Sequence, residues 1–141
     1  MSTTYIGTEK PSFWVKDSGG STILSIASTD ISYAPVYNRI SRDKREETHV
    51  MANGKEKRYK AGAQYKGEIF YSAGMLTQAV IDKLIDIDGY DGTSGYTCYI
   101  KPREDGSLTG ECIIDIDFSY KNDLTDNGVD VTITWRLSEL V

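Results

Sequence analysis

Histidine occurs once, cysteine twice and proline three times in the 141 residues of this chain. His49, Cys98 and Cys112 cannot supply the usual four Cys or His ligands of a structural zinc site. No run approaches the ~20 apolar residues that a membrane-spanning helix needs. The opening MSTTYIGTEK has no apolar signal core, so the chain is expected to stay in the compartment where it is made. Also missing are a P-loop, a G-x-G-x-x-G dinucleotide fingerprint and a G-x-S-x-G nucleophile turn. No catalytic residue, cofactor or metal ligand is therefore assigned. Basic residues are outnumbered by acidic ones, 16 to 21, for a net charge of −5, which argues against nucleic-acid binding over the whole surface.

What remains is an ordinary globular composition, long enough for one domain with one core. Ten Tyr against three Phe and two Trp is an unusual aromatic balance. Tyr suits half-buried strand faces and interfaces where one end of the ring stays wet, so the balance points to a β-rich binding or assembly protein.

Residues 1–20 combine Ser, Thr, Gly and Lys around Phe13-Trp14-Val15 and end in Asp17-Ser18-Gly19-Gly20. They read as an N-terminal arm with one anchoring point, followed by a single β-rich domain over 21–141. Two apolar stretches follow, Thr22 to Ala27 and Ile31 to Ile40, the second interrupted by Pro35 and so suited to a sheet edge. A long charged excursion at about 39–62 is either hairpin-like or a loop ordered against a partner. Tyr65 to Tyr71 alternates as a strand. Leu76, Ala79, Val80, Leu84 and Ile87 recur at helical spacing, which predicts a helix over 75–87. Strands are then expected at 95–101, 110–120 and 129–138. In the last two, Ile114, Ile116, Phe118 and Tyr120, and Val129, Val131, Ile133, Trp135 and Leu137, are expected to face the core. One dry and one wet face per strand belong to antiparallel sheets. The expected fold is mainly β, an antiparallel β-sandwich or partly closed barrel with one short α-helix.

Three constellations invite chemistry, and each has a plainer reading. Asp86, Asp88 and Asp91 sit in a Gly-rich turn like ligands of a calcium loop. Tyr90, Asp91 and Thr97 nevertheless stand where an EF-hand has its fifth ligand, its Gly and its bidentate Glu. A helix C-terminus with solvated carboxylates fits better. Asp115 and Asp117 lie roughly 7 Å apart along one strand face, a spacing compatible with paired carboxylates, but they are also the polar half of a clean alternation. Cys98 and Cys112 flank a turn at 104–107. A five-residue loop centred on Asp105 would place them opposite each other, and a two-residue turn would put them out of phase. Free, buried thiols are expected, since a reducing cytosol disfavours a disulfide.

Charge distribution is the informative feature. From Arg39 to Lys66 there are nine basic residues against four acidic ones, a surplus of five in a chain whose total is −5, so the remainder carries −10. Such a segment can be a solvated face, can contact phosphates, or can dock on the acidic surface of another copy.

The order of features resembles that of the small tail proteins of tailed bacteriophages and prophages, the group that includes tail-tube and distal-tail proteins. The resemblance covers Ser32 to Leu140 and rests on Tyr65-Lys66-Gly67-Glu68-Ile69-Phe70-Tyr71, the helix Leu76 to Ile87, and Val131-Thr132-Ile133-Thr134-Trp135-Arg136-Leu137. It implies a non-enzymatic virion structural protein in a tube, distal-tail or connector ring, assembled in the host cytoplasm. Its partners would be other copies of itself and neighbouring tail proteins. The expected subunit-interface residues are Arg42, Lys44, Arg45, Met51, Lys57, Arg58 and Tyr59, with Phe13 and Trp14 of the arm. The alternative is a small β-barrel module that binds nucleic acid through the basic 39–66 segment, and third comes an acidic carbohydrate- or calcium-binding sandwich.

Overall fold

A computed structural model of the protein describes residues 9–122 and 127–138; the side chains of 45–49, 57–61 and 127 lie outside the description. Among the described residues the chain forms strands β1 (Ser12–Asp17), β2 (Thr22–Ile26), β3 (Tyr37–Val50) and β4 (Glu56–Tyr71), helix α1 (Gln78–Tyr90), and strands β5 (Tyr96–Lys101), β6 (Gly110–Asn122) and β7 (Asn127–Leu137). The architecture is mainly β and antiparallel with one helix. The strands join in one open sheet of order β2-β1-β5-β6-β7-β4-β3.

Period-two alternation decides which face is dry. Val131, Ile133, Trp135 and Leu137 of β7 are buried together with Cys112, Ile114 and Ile116 of β6, Ile69 and Tyr71 of β4, Cys98 and Ile100 of β5, and Phe13 and Val15 of β1. Phe118 and Val129 are only partly buried, and Tyr120 is 69% exposed. Tyr120 was expected in the core. Its partner is Val129, two ladder steps from the Asn122↔Asn127 end, where the paired strands run past the elements that could cover them.

Helix α1 closes the dry face over β1, β2, β5 and β6 with Val80, Ile81, Leu84 and Ile87. It starts later than the apolar spacing predicts, because Thr77 caps it by accepting the Val80 N–H at 3.4 Å, while Met75 and Leu76 pack on the core ahead of the cap. It also runs through Gly89 to Tyr90, where Asp91 takes over as C-cap.

The structure makes two expectations about organisation specific. The stretch expected as an arm contributes β1, which pairs with both β2 and β5. Asp17-Ser18-Gly19-Gly20 is the turn into β2, with the Asp17 carboxylate accepting the N–H groups of Gly19 and Ser21, both at 3.0 Å. The part of the arm at 1–8 lies outside the described residues. The charged excursion is the hairpin of β3 and β4, paired from Tyr37↔Phe70 out to Val50↔Glu56. Ile31 to Val36 precede it irregularly, so the edge strand begins just after Pro35. The ladder slips between Arg45 and Glu46, opposite Gly62, whose φ of 106° is open to glycine and strained for other residues.

Gly67 fixes the middle of the sheet. It stands opposite Trp135, and a Cβ there would come within 2.3 Å of the Arg39 carbonyl oxygen and 2.7 Å of the indole Cε2 and Cζ2. The missing side chain is what lets the indole lie across β4. Gly67→Ala should therefore destabilise the fold by about 1–3 kcal/mol through overpacking against backbone, and Trp135→Ala by about 3–5 kcal/mol through loss of a large buried ring. Urea unfolding of both variants measures this; a loss below about 1 kcal/mol for Trp135→Ala would contradict the assigned core.

Candidate functional site

Three places in the fold hold side chains that could act on something outside the chain: the β3–β4 ribbon, the wet face beneath it, and the acidic end of α1. The ribbon arises because β4 pairs with β7 only from Lys66 to Tyr71, whereas its ladder with β3 continues from Arg42↔Tyr65 out to Val50↔Glu56. At ~3.3 Å per residue the two-stranded part is roughly 30 Å long. Gln64 ties its base to the body by donating to the Leu137 carbonyl at 3.0 Å.

Arg42 and Lys44 are exposed on this ribbon, and the Arg42 guanidinium stands 6.0 Å from the Tyr65 ring centre. The tip carries two apolar side chains in solvent, Val50 at 71% and Met51 at 46% exposure. Arg45, Lys57, Arg58 and Tyr59 belong to the ribbon by their backbone register, opposite Gly62, His49, Thr48 and Glu47; their side chains lie outside the described residues. Phe13 and Trp14 do not join them. Phe13 is buried in the core, so its side chain is unavailable for the interface role expected of it. Trp14, on the opposite face of β1, stacks on Tyr99 with ring centres 5.8 Å apart and planes within 3°. β1 and β3 stand near opposite ends of the sheet, so the structure does not bring Trp14 to the ribbon.

Sequence reasoning missed a groove of about 650 Å³ on the wet face of β3, β4, β7 and β6. Cross-strand register builds it in two rows. Arg39, Glu68, Thr134 and Asp115 form one, and Ser41, Lys66, Arg136 and Ile113 the other. At its rim Glu68 accepts the Tyr37 hydroxyl at 3.0 Å, which together with burial raises the phenol pKa, burial being the larger cause. The Arg39 guanidinium lies 4.3 Å from the Tyr37 ring centre. Lys66 pairs with Asp43 at 2.8 Å. Among the described residues neither Arg39 nor Arg136 has a carboxylate in ion-pair contact. The sequence signals for the groove were the wet parity of Thr134 and Arg136 on the last strand and of Asp115 on the one before it, and the basic segment that begins at Arg39 and ends at Lys66.

The acidic end of α1 serves the fold. β5 and β6 pair only at Tyr99↔Glu111 and Ile100↔Gly110, which leaves the next donors along that side of β6 without a strand partner. Asp91 accepts the Ile114 N–H and Asp88 the Ile116 N–H, each at 3.3 Å. These carboxylates do a neighbouring strand's work. Among the described residues no group of three or more His, Cys, Asp or Glu side chains could hold a metal ion. Asp115 and Asp117 stand on the exposed parity of β6. Cys98 and Cys112 are free and buried, and the β5–β6 register is that of the five-residue loop, which carries them to the same level. Burial is the first cause that raises both thiols, Cys98 to about 11.

No protein-family description matches the chain, and no curated protein does. Among solved structures the chain is similar to one in the cryo-electron-microscopy structure of the anti-feeding prophage baseplate, 6-fold symmetrised, with 10% identity, a TM-score of 0.46, and coverage of 100% of this chain and 96% of that one.

Two outcomes follow from the capped edge. Burial first, then the charges of Asp88 and Asp115, hold the Asp91 carboxyl above its ordinary 3.8, against the pull of the Ile114 N–H and Arg136. The folded state thus favours the protonated acid. Its contribution to stability is complete below 3.8 and is lost as pH rises through the higher folded value. Asp91→Asn and Asp91→Ala both remove the titrating group and should flatten stability in that window, with the Ala variant, which also loses the acceptor, about 1 kcal/mol less stable than the Asn variant at every pH; chemical unfolding at a series of pH values measures both. Both thiols should resist iodoacetamide at pH 8 in the native protein and react fully in denaturant, as counted by mass spectrometry.

Proposed function

We propose that the chain is a non-enzymatic structural subunit of a bacteriophage tail or tail-like particle, joined to copies of itself and to neighbouring tail proteins through the β3–β4 ribbon. The observation that carries this reading is the ribbon itself. Two strands alone are marginal in water, and these reach roughly 30 Å beyond the pairing with β7 with Val50 and Met51 exposed at the tip. Such an element gains its stability where another surface covers it. The tail setting comes from the resemblance of the sequence.

Charge and apolar contact divide the work. The segment Arg39 to Lys66 is basic and the remainder of the chain strongly acidic, so one copy attracts the ribbon of the next and orients it. Exposed pairs contribute only about 0–1 kcal/mol each and are screened by salt. Affinity then comes from Val50, Met51 and Tyr59. A head-to-tail contact of this kind closes into a ring or propagates as a stack.

The test is a five-fold reversal, Arg42, Lys44, Arg45, Lys57 and Arg58 each to Glu, followed by light scattering and negative-stain imaging. The expected result is a folded subunit that assembles slowly or not at all at low salt, with the smallest defect at high salt. Amide hydrogen exchange over Tyr37–Val50 and Glu56–Tyr71 should slow when the unaltered protein assembles. Assembly of the reversed variant at the normal rate would make the ribbon a solvated face. Steep, salt-dependent binding of single-stranded or duplex nucleic acid by the unaltered protein would favour the module that binds phosphates instead.

A further inference from the structure

Asparagine stands directly before glycine at two places in the chain, Asn53-Gly54 at the tip of the ribbon and Asn127-Gly128 at the start of β7. Such a pair can close on itself, because glycine has no side chain to obstruct its own nitrogen and rotates freely. The Gly nitrogen gives its proton to solvent base and attacks the Asn Cγ. A new C–N bond closes a succinimide ring as the bond from Cγ to Nδ2 breaks and ammonia leaves. Water then opens the ring at either carbonyl, and the product is aspartate or isoaspartate. Both reacting groups lie on adjacent residues, so the step needs no enzyme, metal or oxidant.

The fold treats the two pairs differently. Ala52, Asn53, Gly54 and Lys55 are all exposed. The Lys55 N–H donates to Asn53 Oδ1 at 3.1 Å, which polarises the amide and supports the oxygen where charge develops during attack. The Gly54 N–H is held by the Met51 carbonyl at 2.9 Å, so attack waits for that turn bond to open, and a solvated hairpin tip opens readily. Gly128 instead stands opposite Lys121 in the β6–β7 ladder. A Cβ there would meet Ala73 at 3.1 Å, so its backbone is packed against the turn that follows β4. We infer that Asn53 is a site of spontaneous modification, and that its conversion withdraws unassembled subunits from assembly. The withdrawal rests on the reading of the ribbon as the assembly element. Each conversion sets a carboxylate at the tip of the basic segment, against the charge that guides docking. Isoaspartate also adds a methylene to the main chain inside the turn that carries the exposed Val50 and Met51. A tip covered by a neighbour stays closed, so assembled subunits keep the amide.

Peptide mapping by mass spectrometry, with isoaspartate counted by methyltransferase labelling, follows the unassembled full chain in warm buffer at pH 8. Asn53 should convert at least about tenfold faster than Asn127. Asn53→Gln, whose longer side chain closes a less favoured ring, should keep its amide, and circular dichroism checks that it is folded. Aged protein should assemble more slowly than fresh protein and leave its converted subunits in the unassembled fraction, while aged Asn53→Gln protein assembles like fresh. An Asn53 that keeps its amide, or converts no faster than Asn127, would overturn the site. Converted subunits that enter particles in proportion to their abundance would overturn the withdrawal, and the ribbon reading then stands or falls with the five-fold reversal. A protein that stays monomeric at every concentration would overturn the structural-subunit reading and the withdrawal together, while the conversion of Asn53 is still measured on the monomer.

Discussion

The indole of Trp135 lies across Gly67 at the point where β4 leaves the sheet, and the rest of the structure depends on that packing. β7 is bonded to β6 on one side and to β4 on the other, and β4 is the strand that continues outward as the ribbon. With Trp135 buried over a residue that has no side chain, β4 packs close to the core at the point where it leaves the body. A glycine in a strand gives up side-chain packing and backbone entropy, and the ring offsets that by covering the exposed backbone. The ribbon is thereby anchored on a rigid base, so a force or contact at its tip acts on a fixed lever.

The opposite half of the sheet meets a different constraint. A seven-stranded sheet held at β5–β6 by only two residue pairs has a long stretch of β6 with donors facing no strand. Nature's usual remedies are a covering helix or a charged side chain at the edge. Here one element does both: α1 packs on the dry face and its C-terminal end sends Asp88 and Asp91 to the unpaired donors. Keeping the Asp91 carboxylate there disfavours its charged form.

The sequence was legible where one face is dry and the other wet. β6, β7 and α1 announce themselves through sustained periodicity, and most of their residues fell where that periodicity put them; Tyr120 and Ala79 are exposed, Phe118 and Val129 only partly buried, and Leu76 precedes the helix. β1 was hidden because six residues carry only two inward side chains, Phe13 and Val15, beside Lys, Ser and Asp. The charged hairpin was ambiguous for a deeper reason. Charged residues stand on both parities of 39–50, so pattern could not distinguish the hairpin from a loop. The buried Arg103, forked onto Asp105 by two bonds of 3.0 Å, had no signature at all, since the pair is made by a turn. The groove was illegible for the same kind of reason: Arg39, Lys66, Arg136 and Ile113 come from four strands, and only register brings them together.

Registers also decide what kind of assembly the surfaces permit. A two-fold dimer needs a patch that complements itself. The ribbon does not: its segment is basic and the remainder of the chain acidic. Association that used these charges would pair unlike surfaces. The segregation of charge along the chain, basic from 39 to 66 and acidic elsewhere, becomes in three dimensions a polarity of the subunit. In the structural role proposed for the chain, that polarity, more than any single contact, is what pairs copies head to tail.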